Sequence, residues 1–375
     1  MNKRYATVEA YLNLFQKRGN MYEVKQQFSQ LKNKKDITVL GIESSCDETA
    51  CAIVRNGREV LSSVISSQIP LHRRFGGVVP EVASRNHTLA ITSVLDETLK
   101  NANLTFSDID AIAVTYGAGL VGALLVGVTT AKALAYSLQK PLIKVNHIEA
   151  HIASNFVEYK TLTPPFTAVV ASGGHTLIVD VEDYNTYKVI SSTRDDAIGE
   201  AFDKTARLLG LPYPGGPEID RLAKLGKNNI EFMRHNRNQT DDLALSYSGL
   251  KTAVVNFVHN LKQKGGPLPI EDICCSLTHT AVDMLVNIAI KVVKERKRNK
   301  IVLAGGVASN SYLRSSLQER AKVENIEMLV PPPVLCTDNA VMVASRAYFS
   351  ICDGKGLAGL NLNAQPSLRV GEEDV

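Results

Sequence analysis

The chain has 375 residues, 45% hydrophobic and 21% charged, which excludes a disordered, collagenous or coiled-coil protein and supplies core for about two domains. Six cysteines without a C-x-x-C pair form no disulfide framework, so a reducing cytoplasm fits best. The net charge of +4 is uneven: residues 1–36 hold eight Lys/Arg against Glu9, Glu23 and Asp36, which leaves the rest near neutral and uninformative about nucleic acid.

Residues 1–36 read as a basic N-terminal extension. They lack an apolar stretch, which excludes a secretory signal, and Glu9 and Glu23 break the acid-poor pattern of a mitochondrial transit peptide. An arm, or a true start at Met21 or a later codon, is the expectation. The ordered part is expected to begin at Ile37. Residues 38–43 read as a strand, 44–47 as a polar turn and 49–54 as a returning strand. The same plan recurs at 167–171, with Ser172-Gly173-Gly174 as the loop and 175–179 as the return. Between the hairpins, residues 111–131 carry no charge and are long enough to span a bilayer. Their order of strand, glycines and helix points instead to a buried α/β unit and no membrane. That unit recurs at 301–310. Hairpin followed by strand-glycine-helix, twice, predicts two diverged copies of one α/β half with a ligand cleft between them. Small glycine-rich loops suit a phosphate, because backbone N–H groups approach it closely.

Several motifs are chemical candidates. Gly117-Ala118-Gly119-Leu120-Val121-Gly122 has the dinucleotide spacing, but no acid follows the next strand before Glu149, so these glycines read as close packing beside a ligand. His147 and His151 lie four apart, on one face of a helix, where both imidazoles reach one metal. Glu149 points about 200° around the helix and cannot serve as a metalloprotease base. An isolated pair of this kind is usually a surface feature unless a third ligand exists. Asp338 is that candidate, although its local sequence favours a helix N-cap. Two His and a carboxylate leave coordination positions open, which suits iron or zinc. Glu43, Asp47 and Glu48 crowd three acids into one turn between buried strands. Asp203 and Asp220 flank a Pro/Gly loop and could hold ribose hydroxyls. Lys251, entering a helix, is a candidate phosphate contact. No G-x-S-x-G or Cys–His pattern suggests a covalent hydrolase.

Read in order, Gly41-Ile42-Glu43-Ser44-Ser45-Cys46-Asp47-Glu48-Thr49, His147-x3-His151, Ser172 to Thr176, Ser248 to Thr252, Gly305 to Asn310 and Cys336-Thr337-Asp338-Asn339 closely resemble the bacterial TsaD family of tRNA N6-adenosine threonylcarbamoyltransferases, over about 37–369. The resemblance implies an α/β actin-like ATPase (ASKHA) fold, with 37–150 plus about 345–368 as one lobe and 151–344 as the other. It implies transfer of threonylcarbamoyl from threonylcarbamoyl-AMP to N6 of adenosine 37 in tRNAs reading codons that begin with A. His147, His151 and Asp338 fall on the family's metal positions, with iron ahead of zinc. Val170, Ala171, Ser172, Gly173, Gly174, Asp203, Gly216, Asp220 and Asn310 fall on its nucleotide and substrate positions, a site open to ATP, ADP or AMP as well. Asp47 and Glu48 fall on acids near the reaction centre, and either is the candidate proton acceptor. Implied partners are tRNA, a TsaB-like paralogue, a TsaE-like ATPase and a TsaC- or Sua-type synthase. An actin-fold small-molecule kinase or ATPase, or a metallopeptidase, is the alternative.

Overall fold

The computed structural model describes residues 19–233 and 243–372; Lys3, Arg4, Lys17 and Arg18 of the basic extension lie outside them. Among the described residues, regular structure is already present before Ile37, in helix α1 (Gly19–Leu31). Phe28 and Leu31, three apart on α1, are buried in one apolar cluster with Ile37 and Val54, and that burial fixes the helix against the first sheet.

The first sheet contains β1 (Thr38–Glu43), β2 (Glu48–Arg55), β3 (Glu59–Ser67), β4 (Ala111–Gly117), β5 (Leu142–Asn146) and the short β11 (Leu357–Ala358), ordered β11-β5-β4-β1-β2-β3. The second contains β6 (Phe166–Ala171), β7 (Thr176–Asp183), β8 (Thr186–Ser192), β9 (Lys300–Ala304) and β10 (Glu327–Leu329), ordered β10-β9-β6-β7-β8. Strand for strand the two are the same motif. An antiparallel β1–β2–β3 meander matches β6–β7–β8, and β4, parallel to β1, matches β9, parallel to β6. The sequence duplication is therefore structural.

Successive strand residues point to opposite faces, so each sheet needs cover on both. On β1, Val39 faces α10 (Ala340–Cys352), while Leu40 and Ile42 face α2 (Pro80–Ala102) and α3 (Val121–Leu138). On the second sheet, Val169 and Ala171 pack with α5 (Ile198–Leu208), α6 (Gly215–Ala223), α7 (Ser248–Gln263), α8 (Ile270–Glu295) and α9 (Ser311–Val323). Its other face, through Ala168 and Val170, packs on Ile148, Ile152 and Phe156 of α4 (His147–Glu158) and on Phe349 of α10. Helices α4 and α10 are thus shared between the sheets, and both begin at the cleft. Among the described residues, two helices, α3 and α8, are long and apolar enough to cross a membrane. Both instead pack in the fold, α3 against the Val114 face of the first sheet and α8 in the core of the second.

Candidate active site

A cavity of about 560 Å³ lies between the two sheets. Its lining includes Asp47, Glu48, His147, Ser172, Gly173, Gly174, Asp203, Gly216, Asp220, Asn310 and Asp338. These residues come from seven separate stretches of the chain. Three predicted residues are not among them: His151, Val170 and Ala171. Val170 and Ala171 are fully buried in β6, which leads into the Ser172-Gly173-Gly174 loop, and His151 is fully buried beneath His147.

At the floor of the cleft, His147, His151 and Asp338 each offer a ligand atom, all within 4.8 Å of one another. Asn146 starts α4 by accepting from the Ile148 and Glu149 amides at 2.9 and 3.3 Å, which places His147 on the first turn and His151 one turn below it. Neither is a surface residue: His151 is fully buried and His147 nearly so. Asp338 is not the helix cap that its local sequence favours. Asn339 takes that role, accepting from the Met342 amide at 3.0 Å, and this frees the Asp338 carboxylate to turn toward the imidazoles. Its Oδ1 lies 3.1 Å from His151 Nε2 and 3.7 Å from His147 Nε2.

Two observations fit this trio to a cation. Both ring nitrogens of His151 are buried: Nε2 has only the Asp338 carboxylate near it, without a well-formed hydrogen bond, and Nδ1 has none, a costly arrangement unless a ligand completes it. The local field also favours positive charge. Burial opposes an imidazolium at His147, yet the Asp338 and Glu43 carboxylates overcome it and lift its pKa to about 9. Asp338 is held at about 2, its burial outweighed by His147 and His151. A divalent ion would take the place of that proton. Donor atoms bound at about 2.0–2.2 Å from one centre fall at separations close to those seen here.

Behind the trio sits Glu43, fully buried and outside the cavity lining. Its Oε2 is 3.3 Å from His147 Nδ1 and accepts from Thr115 Oγ1 at 2.6 Å, while Oε1 accepts from the Ser45 amide at 2.6 Å. Ser45 Oγ is 3.1 Å from the same Nδ1. A carboxylate on Nδ1 sets the tautomer that leaves Nε2 as the ligand atom. Glu149, by contrast, pairs with Arg346 Nε at 2.9 Å and accepts from the Gly371 amide at 3.1 Å, turned away from the trio.

The acid pair lies on one wall. Asp47 is nearly buried and receives the Tyr213 hydroxyl at 3.5 Å. Burial, then the charges of Asp338 and Asp47, push Glu48 up to about 10, so Glu48 carries a proton at neutral pH. Burial and the imidazoles of His147 and His151 depress His175 to about 4, so it lines the cavity as a neutral ring.

On the opposite wall, the Ser172 amide is spent inside the hairpin, donating to the His175 carbonyl at 2.8 Å. Gly173 and Gly174 are exposed to the cavity, with open space where a side chain would stand. Asp203 Oδ1 accepts from the Gly215 amide at 2.8 Å, and its burial raises its pKa. Asp220 accepts from the Ser311 amide and hydroxyl at 2.9 and 2.7 Å, tying α6 to α9. Asn310 caps α9 through Oδ1, 2.9 Å from the Leu313 amide, and its Nδ2 is buried without a partner. Lys251 is not a phosphate contact. It pairs with Asp196 and does not line the cavity. Sequence reasoning missed Ser45 and Tyr213 as members of the site, since neither carries a motif of its own.

The glycines after β4 do what their spacing suggests. Gly119 has φ +152°, and a Cβ there would stand 2.6 Å from the Ser45 carbonyl oxygen. That oxygen accepts from the Leu120 amide at 2.8 Å, so the start of α3 is pressed onto the acid turn.

The sequence model of a family described as "TsaD: tRNA N6-adenosine threonylcarbamoyltransferase" matches residues 59–345. The chain belongs to that family. A threonylcarbamoyltransferase of Clostridium perfringens is 56% identical over 341 residues, 91% of this chain and 99% of its own. One from Clostridium novyi is 55% identical over 339 residues, 90% and 99% respectively. Solved structures share the fold at low identity. T. kodakarensis HypF has a TM-score of 0.58 at 15% identity, covering 85% of this chain and 48% of its own. Component A of the Acidaminococcus fermentans (R)-2-hydroxyglutaryl-CoA dehydratase has a TM-score of 0.50 at 15% identity, covering 84% and 99%. The fold of this threonylcarbamoyltransferase family member is the actin-like ATPase fold, as its duplicated sheets require.

Proposed function

We propose that the chain transfers the threonylcarbamoyl group of threonylcarbamoyl-AMP to N6 of adenosine 37 in tRNAs that read codons beginning with A. The observation that carries this reading is the meeting, at one cavity of a chain of this family, of the His147/His151/Asp338 trio, which reaches the cavity through His147 and Asp338, with an acid pair and an open glycine loop. The donor lies in the cleft, its phosphate against the Gly173 and Gly174 amides and the Asn310 Nδ2 donor, its ribose near Asp203 and Asp220. Gly216 leaves room for the base.

His147, His151 and Asp338 hold one divalent metal; the donor set suits iron or zinc, and the family resemblance puts iron first. When bound, the metal supplies Lewis-acid stabilisation of donor oxygens. The chain's residues do the rest. The cavity holds the N6 amine against the carbamoyl carbon, a placement that matters because this amine is a weak nucleophile. As the N6–C bond forms, the C–O bond to AMP breaks and the amine loses a proton. Asp47 accepts it, because Glu48 already carries one. Amide donors at Gly173 and Gly174 stabilise the charge that develops as AMP departs.

The protein works in the cytoplasm with a TsaB-like paralogue and a TsaE-like ATPase, on donor made by a TsaC- or Sua-type synthase. The test is reconstitution with those partners, ATP, threonylcarbamoyl-AMP and unmodified tRNA, followed by mass spectrometry of the digested nucleosides. Threonylcarbamoyl-adenosine from the wild type, and little from His147→Ala, is the expected result. No product from the wild type, with partners proven active on another family member, would overturn the reading.

A further inference from the structure

The turn Arg73–Phe75 carries a cluster that the transfer chemistry leaves unused. It follows the helical turn Ile69–His72, whose Ile69 lines the cavity. Arg73 Nε donates to the Tyr213 carbonyl at 3.0 Å, and Tyr213 lines the cavity from the second half of the chain. The turn is therefore pinned across the mouth of the cleft. Arg74 is exposed and meets no acid among the described residues. Phe75 leaves 53% of its surface in water. Gly76 (φ +71°) and Gly77 (φ +156°) follow, with nothing where a side chain would stand, so the backbone offers an open bed beside the two arginines.

Charge explains why this position matters. Asp47, Asp203 and Asp220 line the cavity away from the His147/His151/Asp338 trio, and an acid-lined wall repels a polyanion. Any RNA reaching into the cavity gains from cations at the rim. The N6 amine of a paired adenosine is occupied, so the acceptor must be presented from an unpaired loop with its neighbours unstacked. Single-stranded RNA is recognised by basic side chains on phosphates and aromatic rings under bases. Arg74 and Phe75 are that combination, at the entrance the acceptor must use.

We propose that residues 73–77 form the docking surface for the single-stranded loop of the tRNA, with Arg74 on a phosphate and Phe75 stacked on a base flanking the acceptor adenosine. The inference rests on the transferase reading above. Its test uses the full chain reconstituted with its partners, a tRNA transcript titrated at several salt concentrations, and threonylcarbamoyl-AMP titrated separately. For Arg74→Ala, tRNA binding weakens and the slope of log K against log salt becomes shallower by about 0.7. For Phe75→Ala, tRNA affinity falls roughly tenfold, and Phe75→Tyr restores it. In all three variants the KM for threonylcarbamoyl-AMP, and kcat at saturating tRNA, stay at the wild-type value. Unchanged tRNA affinity and salt slope in an active enzyme would overturn the docking surface, as would a parallel loss of donor binding. A wild type that makes no product would overturn the transferase reading instead.

Discussion

The loops that follow β1 and β6 occupy equivalent places in the two halves and have opposite characters. After β1, every residue from Ser44 to Asp47 is tied down: Ser44 Oγ donates to the Ala123 carbonyl at 2.9 Å, the Ser45 amide is held by Glu43, His87 Nε2 lies 2.9 Å from the Cys46 carbonyl, and the Asp47 carbonyl accepts from the Gln68 amide at 2.9 Å. After β6, Gly173 and Gly174 stand open to the cavity. Both loops are braced from behind in the same way. Gly119 packs on the Ser45 carbonyl, and Gly305, with φ +87°, would place a Cβ 2.5 Å from the Ala171 carbonyl oxygen. One duplicated framework thus carries a rigid loop that holds carboxylates and an open loop with room for a ligand. Catalysis needs both, since a proton acceptor must be fixed within a fraction of an ångström while a phosphate needs bare backbone donors.

The largest effect should come from the floor that both halves share. His151→Ala removes a proposed metal ligand, and we expect metal content by mass spectrometry and transfer activity to be lost together. Glu43→Gln leaves the trio intact but weakens the carboxylate behind His147, and metal affinity should fall about 10- to 100-fold.

The acid pair sharpens the contrast within the rigid loop. Asp47→Asn should lower kcat about 10²- to 10⁴-fold. Glu48→Gln, which replaces a group already neutral, should lower it only a few-fold. The pH dependence of stability separates the two further. A Glu48 pKa of about 10 in the folded chain, against an ordinary 4.5, means the folded state binds the extra proton, so stability is complete below pH 4.5 and declines as pH rises toward 10. Glu48→Gln should therefore raise the melting temperature at pH 8 and leave it unchanged at pH 4. Equal shifts at both would contradict the assignment.

The smallest effects compare glycines. Gly305→Ala forces a side chain into a left-handed backbone against a carbonyl, costing on the order of 1–3 kcal/mol in thermal unfolding. Gly173→Ala meets open space and should cost no more than about 0.5 kcal/mol, its effect appearing as a higher KM for the donor.

Much of this architecture was legible in the chain. Hairpin and strand-glycine-helix, each occurring twice, correspond to β1–β2 with β4–α3 and β6–β7 with β9–α9, because period-2 apolar runs broken by glycine have few other solutions. The i, i+4 spacing of His147 and His151 held because α4 begins at His147. What local sequence could not show is which of two neighbours faces the cleft. Asp338 and Asn339 are equally good caps, and only the packing of α10 against α4 decides that Asn339 caps while Asp338 turns toward the imidazoles. Lys251 looked free because Asp196, which holds it, is 55 residues away. Residues 19–31 looked like part of a basic tail because their charge hides the two apolar positions, Phe28 and Leu31, that bury.

The most direct test of the division of labour is a side-by-side titration of threonylcarbamoyl-AMP with Asp47→Asn and Gly173→Ala in the reconstituted transfer assay. The account predicts a fall in kcat with little change in donor KM for Asp47→Asn, and the reverse for Gly173→Ala. Donor KM rising in Asp47→Asn at wild-type kcat, with Gly173→Ala losing kcat alone, would contradict it.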